Sequence, residues 1–265
     1  MFFKVNFIVC IKQVPGTTEV KIDPKTNTLI REGVESIVNP FDSYAIEEGL
    51  RLKERIGGKV TVISMGPPQA ESALREALSM GCDEALLLTD PAFAGSDTLA
   101  TSYTLACGIR KTGEFDLVIC GKQAIDGDTA QVGPGIAEKL GVPAITYVKK
   151  IEEINETRIK VERMMEEGYE VIETGLPALI TVVKEINEPR LPSLKGMVRA
   201  RKAEIHMWKA SDIACEKSRI GQAGSPTIVN RIFSPSPRKG GEILVGDPEE
   251  QAQKLVDKLR QARVI

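Results

Sequence analysis

The chain holds a single histidine among 265 residues. His206 alone offers no pair of imidazoles for a zinc site and one anchor for a Ser-His-Asp or histidine acid–base scheme, with no supporting motif around it. It reads as a surface or interface residue. Five cysteines (Cys10, Cys82, Cys107, Cys120, Cys215) are an odd number and none falls in a C-x-x-C spacing. The opening MFFKVNFIVCIKQVP alternates and carries no small-residue cleavage site, so it reads as a first strand rather than a leader. Buried, reduced thiols and a cytoplasmic location are therefore expected. No window reaches the roughly 18 to 20 apolar residues of a membrane-spanning helix. Thirty-five basic against 37 acidic residues leave a net charge of −2, which excludes a global basic field for nucleic acid. The protein's own side chains offer little chemistry.

What is present is a regular alternation. Apolar strands are expected at Val5–Lys12, Lys59–Ser64, Ala85–Leu88, Leu117–Cys120, Ala144–Ile154 and Ala178–Val183. Between them, Ala70, Ala73, Leu74, Ala77 and Leu78 repeat at helical spacing, as do Phe41, Ala45, Gly49, Leu52 and Ile56. Leu99, Tyr103 and Ala106 begin a third stripe, and Val132, Ile136 and Leu140 a fourth. Near-continuous apolar strands alternating with amphipathic helices imply an α/β fold with a doubly wound, mainly parallel, Rossmann-like sheet covered on both faces. Val20–Arg31 reads as an inserted hairpin around Pro-Lys-Thr-Asn, and residues 145–175 as an antiparallel extension with one exposed face.

After Val183 the rhythm stops. The expected division is residues 1–184 for the nucleotide-binding domain, 185–220 for a basic recognition segment, and 221–265 for an arm ending in a helix. The stretch 221–241 is rich in Gly, Ser and Pro, whereas Pro248–Arg263 is amphipathic, with Ala252, Leu255, Val256, Leu259 and Ala262 on one side. A long structureless loop inside a compact domain is uncommon, so the arm is expected to dock on a partner.

In such a sheet, ligands bind beyond the carboxyl ends of the strands, where strand order reverses. The segments there are Cys10–Pro15, Asn39–Asp42, Ser64–Pro67, Gly95–Thr98 and, longest, CGKQAIDGDTAQVGPG at 120–135. Each alone is explained as a turn or cap, Ser96 or Asp97 among them; together they line one edge. In the last, Asp128 or Thr129 is expected to cap the following helix. The free N–H groups of Thr129, Ala130, Gln131 and Val132 would hold a diphosphate, helped by the helix dipole. Gly127 and Gly133 permit close backbone approach, and Asp126 turns aside. This chemistry specifies a nucleotide loop and leaves the nucleotide open.

CIKQVP (10–15), NPFDSYAIEEGLRLKE (39–54), CGKQAIDGDTAQVGPGIAEKLG (120–141) and NEPRLPSLKGMVRARK (187–202) resemble the beta (small) subunit of electron transfer flavoproteins, in order and spacing over essentially the whole chain. The resemblance implies a heterodimer with an alpha subunit that carries one FAD. The beta subunit would hold a second adenine nucleotide, AMP in the plain electron carriers and FAD in the electron-bifurcating branch. The nucleotide contacts implied are Cys10, Ile11, Lys12, Asn39, Asp42, Ser64, Met65, Asp97, Thr98, Thr101, Gly121, Gln123, Asp126, Gly127, Asp128, Thr129, Ala130, Gln131, Val132 and Gly133. The implied dehydrogenase-recognition loop is Leu191–Met197, through Leu191, Ser193, Leu194 and Met197.

The run Thr129–Pro134 resembles the bifurcating proteins of anaerobes, and small residues at Gly127 and Ala130 would leave room for a whole FAD. That branch implies NAD(H) as substrate, ferredoxin or flavodoxin as one acceptor, and an acyl-CoA or lactate dehydrogenase type flavoenzyme as the other. The cofactor would then carry the redox step, which suits a chain with so few catalytic side chains. A universal-stress-type sensor would need a late G-x2-G-x9-G-[ST] run, and an ATP pyrophosphatase an S-G-G-x-D-S loop; neither occurs. The basic residues Arg199, Arg201 and Lys202 are expected to border the partner or the diphosphate. Met164, Met165, Trp208, Cys10 and Cys120 are expected to pack.

Overall fold

A computed structural model describes residues 5–16, 21–22, 29–30, 36–230 and 240–265. In chain order the strands and helices are β1 (Asn6–Cys10), β2 (Gln13–Pro15), β3 (Lys21–Ile22), β4 (Leu29–Ile30), β5 (Ser36–Val38), α1 (Pro40–Ile56), β6 (Lys59–Met65), α2 (Glu71–Met80), β7 (Glu84–Leu88) and α3 (Thr98–Thr112). They continue with β8 (Leu117–Gly121), α4 (Val132–Leu140), β9 (Ala144–Ile154), β10 (Arg158–Met165), β11 (Gly168–Gly175), β12 (Ala178–Val182), α5 (Leu194–Lys202), β13 (His206–Trp208) and α6 (Pro248–Gln261). Met1–Asn230 forms one compact unit and Arg231–Ile265 a second.

The main sheet has nine strands in the order β11-β10-β9-β12-β8-β1-β6-β7-β13. From β12 to β13 every neighbouring pair is parallel, and β9 also joins β12 in parallel. β9, β10 and β11 then form the antiparallel extension expected for 145–175. From β1 the chain winds outward through β6 and β7, then returns by α3 to β8 on the other side of β1. The order therefore reverses between β1 and β8.

Two cores follow from this winding. Phe7 and Val9 of β1 pack with Ala45, Ile46 and Leu74 of α1 and α2, while Ile8 and Cys10 pack with Leu105, Ile109 and Ile136 of α3 and α4. Strand side chains alternate between the two faces, which is why each strand must be apolar throughout. All five expected stripe residues Ala70, Ala73, Leu74, Ala77 and Leu78 are buried. The α1 stripe departs from expectation because Asp42, Glu47 and Glu48 are buried too, each held by partners described below.

Three further features differ from the sequence reading. β13 is a ninth, parallel edge strand, too short at three residues to give a periodic signal, and it carries His206 on the surface. Tyr147 takes a left-handed φ of 61° where the β9–β12 register slips, and its N–H bonds Thr181 Oγ1 at 3.1 Å. Met165 is exposed rather than packed, whereas Trp208 does join the second core. Of the expected hairpin, Lys21–Ile22 pairs antiparallel with Leu29–Ile30; its turn lies outside the described residues. In the second unit, Asp247 caps α6 by accepting from Glu250 N at 2.9 Å, with Pro248 at the first helical position.

Candidate functional site

The reversal point brings Cys10 of β1 level with Cys120 of β8, so the turns that follow them, Ile11–Lys12 and Gly121–Gln123, lie side by side. The start of α1 holds the two turns together. Asn39 N donates to Lys12 O at 2.8 Å, its Nδ2 donates to Gln123 O at 2.8 Å, and its Oδ1 accepts from Ile125 N at 3.1 Å. Asp42 Oδ2 accepts from Lys12 N at 2.7 Å. Burial pushes the Asp42 carboxyl up to about 7, against the lowering effect of Asn39, the Lys12 and Gly121 backbones and the Lys12 charge. Both side chains are nearly inaccessible, 1% for Asn39 and 6% for Asp42. They face the back of the loop and set its main-chain path.

In the long loop both aspartate carboxylates are engaged within the chain. Asp126 turns aside to Lys12 Nζ at 2.6 Å, and the Asp128 carboxylate accepts from Gln123 Nε2. The expected cap at Asp128 or Thr129 does not form. α4 begins at Val132 after Gln131, with no side-chain cap at all, because Asp128 is spent on Gln123 and its own φ is 51°. Ala130 is also left-handed (φ 54°), while Gln131 is right-handed (φ −98°, ψ −25°). That alternation turns successive N–H groups toward one side, the geometry of an anion nest. The N–H groups of Thr129 to Gly133 find no acceptor among the described residues. Gly133 is required for a different reason than expected: a methyl there would lie 2.6 Å from Thr181 Cγ2 of β12.

Along the same edge, β6 ends in Ser64 and Met65. Ser64 is fully buried and its Oγ has no hydrogen-bond partner among the described residues. Beyond it, Asp97 caps α3 by accepting from Leu99 N at 2.9 Å and Ala100 N at 3.1 Å. Thr101 N closes the first turn on Asp97 O at 2.9 Å, and Thr98 Oγ1 donates to Gln131 Oε1 at 3.0 Å, tying the starts of α3 and α4 together. Asp97 also accepts from Thr227 N at 3.1 Å and Oγ1 at 2.8 Å, and its own N–H donates to Ser225 Oγ at 2.8 Å. Burial would raise the Asp97 carboxyl, but the donors from Ala100, Thr227 and Leu99 outweigh it and hold it below the ordinary range. Asp97→Ala is therefore expected to cost about 1–2 kcal/mol, read as a lowered thermal midpoint, since it removes a cap and frees the 225–227 strap together.

Residues 221–227 thus dock on their own chain; residues 231–239 of the expected arm lie outside the described residues. Ser225 and Thr227 carry no sequence signal of this role, because nothing in a Gly-Ser-Pro stretch marks a partner 128 and 130 positions away.

The edge thus presents free main-chain N–H groups and a buried hydroxyl, with no histidine, metal-ligand cluster or nucleophile–base pair among the described residues. The electron transfer flavoprotein domain model matches residues 26–213. The electron transfer flavoprotein subunit beta of Thermoanaerobacterium thermosaccharolyticum is 55% identical over 262 residues, covering 98% of this chain and 100% of its own length. This chain belongs to the electron transfer flavoprotein beta-subunit family. The caffeyl-CoA reductase-Etf complex subunit CarD of Acetobacterium woodii is 52% identical over 98% of this chain and 100% of its own. Protein FixA of Bradyrhizobium diazoefficiens is 50% identical over 94% of this chain and 89% of its own.

In this beta-subunit chain the expected recognition loop is partly helix. Ser193 Oγ accepts from Gly196 N at 3.0 Å and starts α5 at Leu194, so Leu194 and Met197 stand on its first turn. Leu191 and Leu194 are 89% and 80% exposed. Arg199 does not face a ligand: it donates to Leu78 O at 2.8 Å and Cys82 O at 2.9 Å, neutralising the carbonyl end of α2. Arg75 of α2 returns the favour at the end of α5, bonding Ala200 O at 2.6 Å and Ala203 O at 3.3 Å. Arg201 and Lys202 are exposed. Cys10 and Cys120 are buried and unbridged, and the neighbouring Cys10 together with burial raises the Cys120 thiol.

Proposed function

We propose that this beta subunit holds FAD along the β1–β8 edge and works, with an alpha subunit carrying a second FAD, as an electron-bifurcating flavoprotein. The observation that carries the reading is the uncapped start of α4. α3 and α5 spend an aspartate or serine on their first N–H groups; α4, like α1 and α2, has no side-chain cap, and it is set apart by the left-right backbone alternation that precedes it. Dipole and N–H groups there favour a diphosphate. The unpartnered, buried Ser64 Oγ would supply a second polar contact on the same edge. The residues fit an adenine dinucleotide: Val132 and Gly133 for the diphosphate, Asn39 and Asp42 as fixed backing, and Gly127, which has open space around it, for a bulky ligand.

When bound, FAD supplies the acceptor for NADH electrons and their division between ferredoxin or flavodoxin and the alpha-subunit flavin. The chain's part is to bind, orient and exclude water. The recognition segment with Leu191, Leu194 and Met197 would engage an acyl-CoA or lactate dehydrogenase type flavoenzyme. The names of the relatives, one from a caffeyl-CoA reductase complex, support that assignment. A cytoplasmic location accords with the free cysteines. Denaturing the co-purified heterodimer and quantifying released nucleotides tests the reading. Two FAD per heterodimer, with NADH bleaching the flavin spectrum, is expected; one FAD with one AMP and no NADH reactivity would overturn it.

A further inference from the structure

We propose that Arg190 is a positioning residue that pre-sets the two exposed leucines, Leu191 and Leu194, as a rigid docking knob for the partner dehydrogenase. The inference rests on the reading of 187–202 as the docking segment and adds what makes it competent. Arg190 leaves the chain immediately before Leu191 and is clamped onto α1 through its whole fork. Nε donates to Glu47 Oε2 at 2.7 Å and Nη2 to Glu47 Oε1 at 3.1 Å; Nη1 donates to Glu54 Oε1 at 2.5 Å and Nη2 to Glu54 Oε2 at 3.1 Å. The Arg190 backbone N–H adds a bond to Glu47 Oε2 at 3.1 Å. Three residues earlier, Asn187 Nδ2 donates to Tyr44 O and Glu48 Oε2, each at 3.0 Å.

The far side of the knob is equally fixed. Ser193 caps α5, Gly196 lies so close to Ser79 O of α2 that a methyl would collide with that carbonyl, and Arg199 bonds the end of α2. Between the two anchors stand Leu191 and Leu194, both largely in water. Large apolar side chains on a frame tied down at both ends lose little freedom on binding, so the association is less costly than for a flexible loop. Glu47 is the buried half of the clamp and Glu54 the exposed half. Burial opposes its charge, but Arg190 and Arg51 outweigh it and hold the carboxyl below its usual range. An ion pair that is partly buried contributes little net stability and much geometry.

The test uses the intact heterodimer and a purified short-chain acyl-CoA dehydrogenase as probe. Arg190→Met is expected to weaken the dehydrogenase complex about 10-fold with the electron-transfer rate at saturation unchanged. Amide hydrogen exchange of residues 187–197 should quicken in the same variant. Because Arg190 acts through the two leucines, adding Arg190→Met to the double variant Leu191→Ala/Leu194→Ala should weaken binding little further. Arg190→Lys, which keeps the charge and loses the fork, should fall between. If Arg190→Met does not fold, Glu54→Gln removes one arm of the clamp and is expected to show the same pattern at smaller size. Unchanged exchange and affinity in these variants, with Leu194→Ala still weakening the complex, overturns the positioning role and leaves the docking reading standing. Additive losses also overturn it. No loss from Leu194→Ala overturns the docking reading itself.

Discussion

Gly121→Ala is expected to abolish nucleotide retention and to cost about 3 kcal/mol or more of stability, the largest effect of any single methyl along the site edge. Gly121 ends β8 directly beneath the start of α1. An added methyl would meet Asp42 Oδ1 and lie 2.6 Å from the Phe41 carbonyl carbon. Neither neighbour can swing away. Phe41 is main chain within the first turn of a helix, and Asp42 is held by Lys12 N. The structure must therefore lift α1 off β8, which also pulls Asn39 from Gln123 O and Ile125 N and lets the loop collapse. Urea unfolding of the purified variant and nucleotide analysis of the co-purified heterodimer read the two consequences. Wild-type stability with full nucleotide content would show that α1 and β8 can separate without moving the loop.

Asp42→Asn is expected to remove a pH dependence of stability between about pH 4 and pH 7, and to leave the variant more stable than the parent by a few kcal/mol at pH 8. In the folded protein burial pushes the Asp42 carboxyl from 3.8 up to about 7, so across that window the native state keeps a proton that the unfolded chain has lost. Stability then falls as pH rises through the window and levels off above it, the opposite of the usual ion-paired carboxylate. An asparagine has one acceptor for Lys12 N and never ionises, so it reproduces the protonated form at every pH. Urea midpoints at pH 5 and pH 8 decide this. An equal drop between those values in parent and variant would mean that Asp42 is not the group responsible.

Both predictions concern residues whose sequence signal pointed elsewhere. Asn39 and Asp42 stand in a segment that resembles the nucleotide contacts of the family, and in the structure their side chains bond the neighbouring Lys12 and Gln123–Ile125 turns. The sequence places a helix start after an Asn-Pro turn; it cannot tell whether the side chains face the ligand or the neighbouring loop, because that depends on where β8 ends in space. The sequence places the helix start of the glycine-rich loop, but with the wrong cap. Asp128 is a good capping residue by type, but Gln123 claims it first and a left-handed turn carries the helix start on to Val132. Likewise Arg199 is one of several basic residues in a run, and only the packing of α5 on α2 gives it two carbonyls to neutralise.

By itself the sequence determined the alternation of strands and helices, the two-faced burial of the sheet and the family. Those follow from local periodicity and from motifs a few residues long, which neighbours along the chain suffice to define. Tertiary structure alone decided which polar groups are consumed internally and which remain free. Lys12 meets Asp126, Asp97 meets Thr227 and Arg190 meets Glu47 across separations of 114, 130 and 143 residues. Whether a carboxylate, an arginine or a helix N–H is available to a ligand depends on such long-range pairings, because each donor and acceptor is satisfied by whatever the fold brings within about 3 Å.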